Sequence, residues 1–223
     1  MRNSLLIILF FSVFVFSCSK EKETTTDLGY SYAGLELGKY VVYDVDSIFY
    51  DDFTSSSDTT IFKLKEIVAE SYIDLEGEEA FVIHRYKKYH DTLSWVLTDV
   101  WNAKRTNTNY QKVEENIRFV KLVFPVRQNS QWNGNSMNNN ISQTYQYTVV
   151  DNSETVGITA LNDVLTVTQD DDQTNLIHPV LYEEKFAKGI GMVYKRSMDL
   201  ERNNLSSPWR GLDVTYTLSS YGN

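Results

Sequence analysis

The sequence predicts an all-β domain of about nine antiparallel strands, curved into an open sheet, a half-barrel, a barrel or a sandwich. Three observations carry this. Apolar residues recur at alternate positions in long runs, most cleanly at Leu212, Val214, Tyr216 and Leu218. The chain holds 15 Tyr among its 223 residues and is rich in Thr and Val, a composition suited to pleated, half-buried surface. Short turn signals separate the runs, and no strong helical period intervenes.

Residues 39–50 place Val41, Tyr43, Val45, Ser47 and Phe49 on one face, with Asp44 and Asp46 on the other, the pattern of a half-buried strand. A Ser-rich turn over 51–58 leads to a second strand over 59–72, where Phe62, Leu64 and Val68 share a parity. Residues 64–70 would also suit a helix. After a turn at 76–78 come strands over 80–89 and 93–103. On the latter Trp95, Leu97, Asp99 and Trp101 share a face, and the two tryptophans read as core. Residues 107–115 lead into an apolar strand over 117–126. Pro125 ends it, because proline cannot donate to a ladder. Residues 127–143 are rich in Asn, Gln and Ser, and Asn133-Gly134 marks a turn. Strands follow over 144–150 and 164–168, with Asp170, Asp171 and Asp172 in the loop beyond. Residues 181–186 read as a helical turn or a strand start. Runs over 188–200 and 212–218 complete the count.

Ahead of the domain stands Arg2 and then an apolar run over 5–16. That run is shorter than the roughly 20 residues of a spanning helix and has the form of a secretory h-region. Ser17 and Cys18 follow, and Cys18 is the only cysteine of the chain. A lone cysteine there is a modification site, or a free thiol left by ordinary secretory cleavage. Val15-Phe16-Ser17-Cys18 resembles the lipobox of bacterial lipoproteins. The resemblance implies cleavage before Cys18 and a diacylglyceryl thioether on its sulfur. Two or more acyl chains anchor a protein stably to a bilayer. The organisation expected is therefore a lipoprotein signal peptide over 1–17, lipidated Cys18 with a flexible tether over 18–34, and one β-rich domain over 35–223. Ser19, rather than Asp, after the cysteine is compatible with outer-membrane sorting. Lys20-Glu21-Lys22-Glu23 resembles a surface-export signal and reads equally as a solvated linker, so the periplasmic and cell-surface faces both stay open.

A formal charge of −9 speaks against nucleic acid as a partner. Gly189-Ile190-Gly191 precedes strand-like residues rather than a helix, so a turn or bulge is expected there and no cofactor. His84, His90 and His178 lack metal-ligand spacing, and the three aspartates at 170–172 lack the alternating ligands of a calcium loop, so no metal is expected. Nucleophile motifs are missing. The acidic pairs Asp51-Asp52, Glu114-Glu115 and Glu183-Glu184 are sequence neighbours, which point to opposite faces of a strand. Their convergence in three dimensions stays open. No catalytic residue is assigned, and the chain is not expected to be an enzyme. Trp132, amid Asn and Gln, and Trp209, between Pro208 and Arg210, are the candidate ligand-binding residues. Each reads as a sugar-stacking platform or as a loop anchor that plugs a barrel end.

The lipobox, the Gly-Lys-Tyr-Val-Val-Tyr run at 38–43, Trp132-Asn133-Gly134 and the Ala-Lys-Gly-Ile-Gly run at 187–191 together resemble an uncharacterised group of Bacteroidota outer-membrane lipoproteins. By analogy such domains are lipocalin-like or LolA-like barrels, and no activity travels with the likeness. The resulting expectation is a non-catalytic binding or envelope-structural domain that takes a protein partner or an apolar ligand on its concave face. A surface glycan module using Trp132 and Trp209 is the alternative, and a hydrolase comes last.

Overall fold

The computed structural model describes residues 26–223, so the signal peptide, Cys18 and the tether up to residue 25 lie outside the described residues. The fold is all-β. Twelve strands form one antiparallel sheet: β1 (Tyr40–Asp51), β2 (Ser56–Ile73), β3 (Glu79–Lys88), β4 (Val96–Arg105), β5 (Asn109–Glu114), β6 (Ile117–Val123), β7 (Gln131–Asn133), β8 (Thr144–Val156), β9 (Thr159–Asp171), β10 (Val180–Ala187), β11 (Gly191–Glu201) and β12 (Arg210–Gly222). The nine runs read from sequence are all present, and 64–70 is strand throughout. The additional strands are β5, β7 and β10. β5 and β7, with six and three residues, are too brief to display a period against their flanks, and β10 resolves as strand the residues 181–186 that suited either a helical turn or a strand start.

Spatial order is β6-β5-β4-β3-β2-β1-β12-β11-β10-β9-β8-β7. Two meanders of six strands are thus joined by the β1–β12 ladder, and the sheet curls into a nearly closed barrel whose seam lies between β6 and β7. Turn chemistry sets the hairpins. The Asp51 carboxylate accepts the Phe53 amide at 2.9 Å and the Thr54 hydroxyl at 2.8 Å. Asp74 does the same for the amides of Glu76 and Glu78 at 2.9 and 3.0 Å. Glu115 and Asn116 both take positive φ, which suits the twist of the tight β5–β6 hairpin.

Few direct ladder bonds close the seam. The Val120 amide donates to the Gly134 carbonyl at 2.9 Å. The Trp132 indole N–H donates to the Val120 carbonyl at 2.8 Å. The Tyr147 hydroxyl accepts the Val123 amide and donates to the Val123 carbonyl, both at 2.8 Å. Side chains therefore satisfy edge groups that a further strand would otherwise pair. Gly134 opens the turn expected of Asn-Gly, and it has a second duty: a Cβ there would lie 2.3 Å from the Tyr145 ring.

Residues 28–34, grouped with the tether from sequence, belong to the domain. A 3-10 turn at Tyr30–Ala33 buries Tyr32 and Ala33 in a cluster with Phe81, Ile83, Leu122 and Phe186. Gly189 donates its amide to the Ser31 carbonyl at 3.0 Å, so the Gly-Ile-Gly turn is a seat for this plug. A second cluster joins Val41, Tyr43 and Val45 to Leu218 and to Val156 and Leu161 near the tip of the β8–β9 hairpin. Among the described residues no helix is long and apolar enough to cross a membrane.

Candidate functional site

The barrel interior carries a connected network of charge. Its members lie on the buried parity of their strands: Glu66 falls between Leu64 and Val68, and Glu184 between Tyr182 and Phe186. The register then sets partners face to face, Glu66 opposite Arg85 and Glu184 opposite Lys195. Opposite charges directly across a ladder are favourable neighbours.

The network runs as a chain. Arg85 reaches Asp99 at 3.1 Å and Glu66 at 3.0 Å. Lys112 takes the other Glu66 oxygen at 2.7 Å and lies 3.9 Å from Glu114. Glu114 is approached by Lys121 at 3.6 Å and Lys195 at 3.7 Å. These two lysines converge again on Oε1 of Glu184, at 2.5 and 3.3 Å. Burial pushes the Glu66 carboxyl up, but Lys112 and Arg85 outweigh it and hold the group below its ordinary 4.5. Burial likewise opposes ionisation of Glu114, yet Lys121, Lys195 and Lys112 hold it well below the carboxylate range. Lys195 is pushed down by burial and carried well above its ordinary 10.5 by Glu114 and Glu184.

A cavity of about 370 Å³ adjoins the network. Glu114, Lys121, Glu184 and Lys195 form its charged wall. Phe119, Tyr145 and Tyr182 supply aromatic surface, and Gln143, Gln169 and Ser197 supply neutral polar groups. Arg196 also borders it but is held by Asp213 at 3.0 Å. The Tyr182 hydroxyl donates to Asp199 at 3.0 Å and is pushed up to about 12, first by burial and then by that carboxylate.

Two residues of this wall each carry a buried polar atom with no surface open to the cavity. Both lysines bond Oε1 of Glu184, a residue only 1% exposed, and its Oε2 is buried with no hydrogen-bond partner among the described residues. The Gln169 Nε2 is likewise buried and unpartnered. The first is an acceptor and the second a donor. A third such atom, Glu154 Oε1, lies on β8 outside the cavity wall.

The residues singled out from sequence fall elsewhere. Trp132 is half-buried at the seam, with its ring centroid 4.6 Å from Tyr147 and 5.9 Å from Tyr145. Trp209 packs on Leu181, Met198 and Leu200, with the Arg202 guanidinium 4.0 Å from its ring centroid. The two rings lie in separate clusters and form no shared platform. Of the two tryptophans expected in the core, Trp101 packs against the main buried cluster with the Arg85 guanidinium 3.5 Å from its centroid, whereas Trp95 is half-buried outside it with Lys88 5.0 Å from its centroid. The charge network makes the interior beside Trp101 polar, so the concave face is no apolar hollow.

His84 lies beside Tyr86, His90 is exposed after β3, and His178 bonds Asp199 at 2.8 Å. Carboxylates of Asp74, Glu76 and Glu78 do cluster, but the Lys104 ammonium occupies their centre, 2.8 Å from Asp74 and 2.9 Å from Glu78, and also pairs with Glu76.

One acidic pair does converge through space. Glu114 and Glu184, far apart in sequence, share the cavity wall and both lysines. Reading the sequence by adjacency missed them, although parity with buried apolar neighbours marks Glu66 and Glu184 as inward-facing charges.

No family model matches the chain, and no curated protein matches it. Among solved structures, a Bacteroides fragilis chain described as a "putative exported protein with YmcC-like fold" is similar at a TM-score of 0.45 and 9% identity, over 84% of this chain and 97% of that one.

Proposed function

We propose that this chain is a non-catalytic lipoprotein domain, anchored through Cys18 to the outer membrane, that binds a small polar ligand inside its barrel. The observation that carries the binding role is the cavity itself, whose wall joins internally paired charges, neutral amides and aromatic rings. The cavity volume, about 370 Å³, falls within the roughly 300–1,000 Å³ of small-molecule sites.

The pairing of the carboxylates speaks against acid–base glycoside cleavage. Acid–base cleavage of a glycosidic bond needs one protonated acid beside one ionised partner. Glu114 is held ionised by three lysines, and Glu184 is bound by two. The anchor is supported by the h-region over 5–16 and by the position of Cys18 at its end.

Native mass spectrometry of the lipoprotein extracted from its own membranes tests both parts. The expected spectrum shows acyl mass on Cys18, lost in Cys18→Ala, and a small molecule released on denaturation. An unacylated wild-type chain overturns the anchor. A chain that retains nothing, and binds nothing on later titration, overturns the ligand role.

A further inference from the structure

Resting on the Cys18 anchor of that reading, we propose that the barrel end closed by the 3-10 turn seats on the bilayer through a shallow groove formed by Tyr40, Ile190 and Tyr221 beside Leu37. The path of the chain comes first. Asp27 pairs with Lys188 at 3.1 Å, and the Ser31 carbonyl accepts the Gly189 amide at 3.0 Å. The chain therefore joins the domain at the β10–β11 turn. Tyr40 at the start of β1 pairs with Gly222 at the end of β12, and both line one groove with Gly189 and Ile190. Residues 19–25 separate Cys18 from Thr26. Fully extended, that stretch reaches at most about 29 Å. The 12 residues of β1 rise about 40 Å, or roughly 30 Å along the axis at the usual strand tilt of a barrel. The β1–β2 turn at the far end thus stands at or beyond the limit of a taut tether. With any slack, the near end is the one held against the membrane.

The surface of this end has the chemistry of a membrane–water boundary. The groove holds about 310 Å³. Leu37, in the turn before β1, is 56% exposed, and Tyr221 is 47% exposed. Tyrosine, with an apolar ring and a wet hydroxyl, is a side chain of that boundary. Lys39 borders the groove, and the Lys65 ammonium lies 4.6 Å from the Tyr40 ring centroid. Lysine stems cover apolar surface while their charged heads stay in water. The formal charge of −9 gives no hold on an anionic surface, so the contact is apolar and the lipid zwitterionic. The β2–β3 turn at the same end bears exposed Leu75 amid Asp74, Glu76 and Glu78, which Lys104 gathers. Those carboxylates suit hydrated headgroups rather than acyl chains. The cavity of about 370 Å³ draws on the other halves of the strands: Gln143 precedes β8, Gln169 is near the end of β9, and Ser197 lies past the middle of β11.

The test places the isotope-labelled lipoprotein in phosphatidylcholine nanodiscs, with and without a gadolinium-chelating lipid, and reads its amide NMR signals. The amides of Leu37, Lys39, Ile190 and Tyr221 should lose their signals to the paramagnetic lipid, while those of Gln143, Gln169 and Ser197 keep theirs. The double variant Leu37→Glu with Tyr221→Glu, at two exposed positions, should restore the Lys39 and Ile190 signals and leave the acyl mass and the far-UV spectrum unchanged. Loss centred on Val96, Leu97 and Val100, the exposed apolar residues of β4, means that the barrel lies on its side; that outcome, or equal loss at both ends, overturns the seat and leaves the anchor standing. Lys39 and Ile190 signals that stay lost in the double variant also overturn it. Mass spectrometry of the same sample separates the two readings: a chain without acyl mass on Cys18 sinks the anchor, and the seat with it.

Discussion

Lys121 lies within an apolar stretch of β6, yet its ammonium group sits between two glutamates of the barrel interior. Its side chain is 4% exposed and that of Glu184 is 1% exposed. Removing one member of a buried pair costs about 3–5 kcal/mol, because the other charge stays behind. Lys121→Met should therefore destabilise the domain by that order in urea unfolding. Lys121→Met with Glu184→Leu should recover most of the loss; a double variant as unstable as the single would refute the pairing. Residues of this kind are hard to read from sequence. Lys112 and Glu114 alternate with Gln111 and Val113, so parity alone does not say which side faces water. Where apolar neighbours fix the buried side, as Leu64 and Val68 do around Glu66, parity marks an inward charge.

Among the elements, the long alternating strands declared themselves and the short ones did not. β1, β2 and β12 run for 12, 18 and 13 residues, long enough to show their period and to bury one face. β7 has three residues, and its place follows from Trp132 packing on Tyr145 of β8 and bonding the Val120 carbonyl across the seam rather than from a local signal. The seam itself depends on Tyr147. Tyr147→Phe keeps the ring and removes the hydroxyl that serves both backbone groups of Val123. The expected cost is about 1–3 kcal/mol for groups left without partners, together with faster hydrogen exchange at the Val123 amide. Exchange unchanged at that amide would show that the seam is held elsewhere.

For the whole molecule, the charge network links stability to pH. The folded-state pKa values of Glu66 and Glu114 lie below the ordinary 4.5, so their contribution is complete above about pH 4.5 and is lost as pH falls from there through the folded values. Lys195 has the opposite sign. Its value is raised, so its contribution is complete below 10.5 and is lost as pH rises through the folded value. The Tm should thus hold a plateau between these limits, fall on the acid side, and fall less steeply in Glu66→Gln. A flat Tm down to pH 3 would mean that the network does not stabilise the fold. The fold class was legible because alternation is a local property. The barrel was legible only as one of several closures, because closure depends on which strands meet after the chain has travelled its full length.

The β1–β12 ladder has one more consequence. Tyr40 pairs with Gly222, so the first and last strands are neighbours in the sheet, while the natural break in the barrel lies in mid-chain. A circularly permuted chain, joined by a short linker between those strands and opened at the exposed Arg127 and Gln128, would place its new ends at the seam. Strand order along that chain would then match strand order around the barrel, with every pairing a local hairpin.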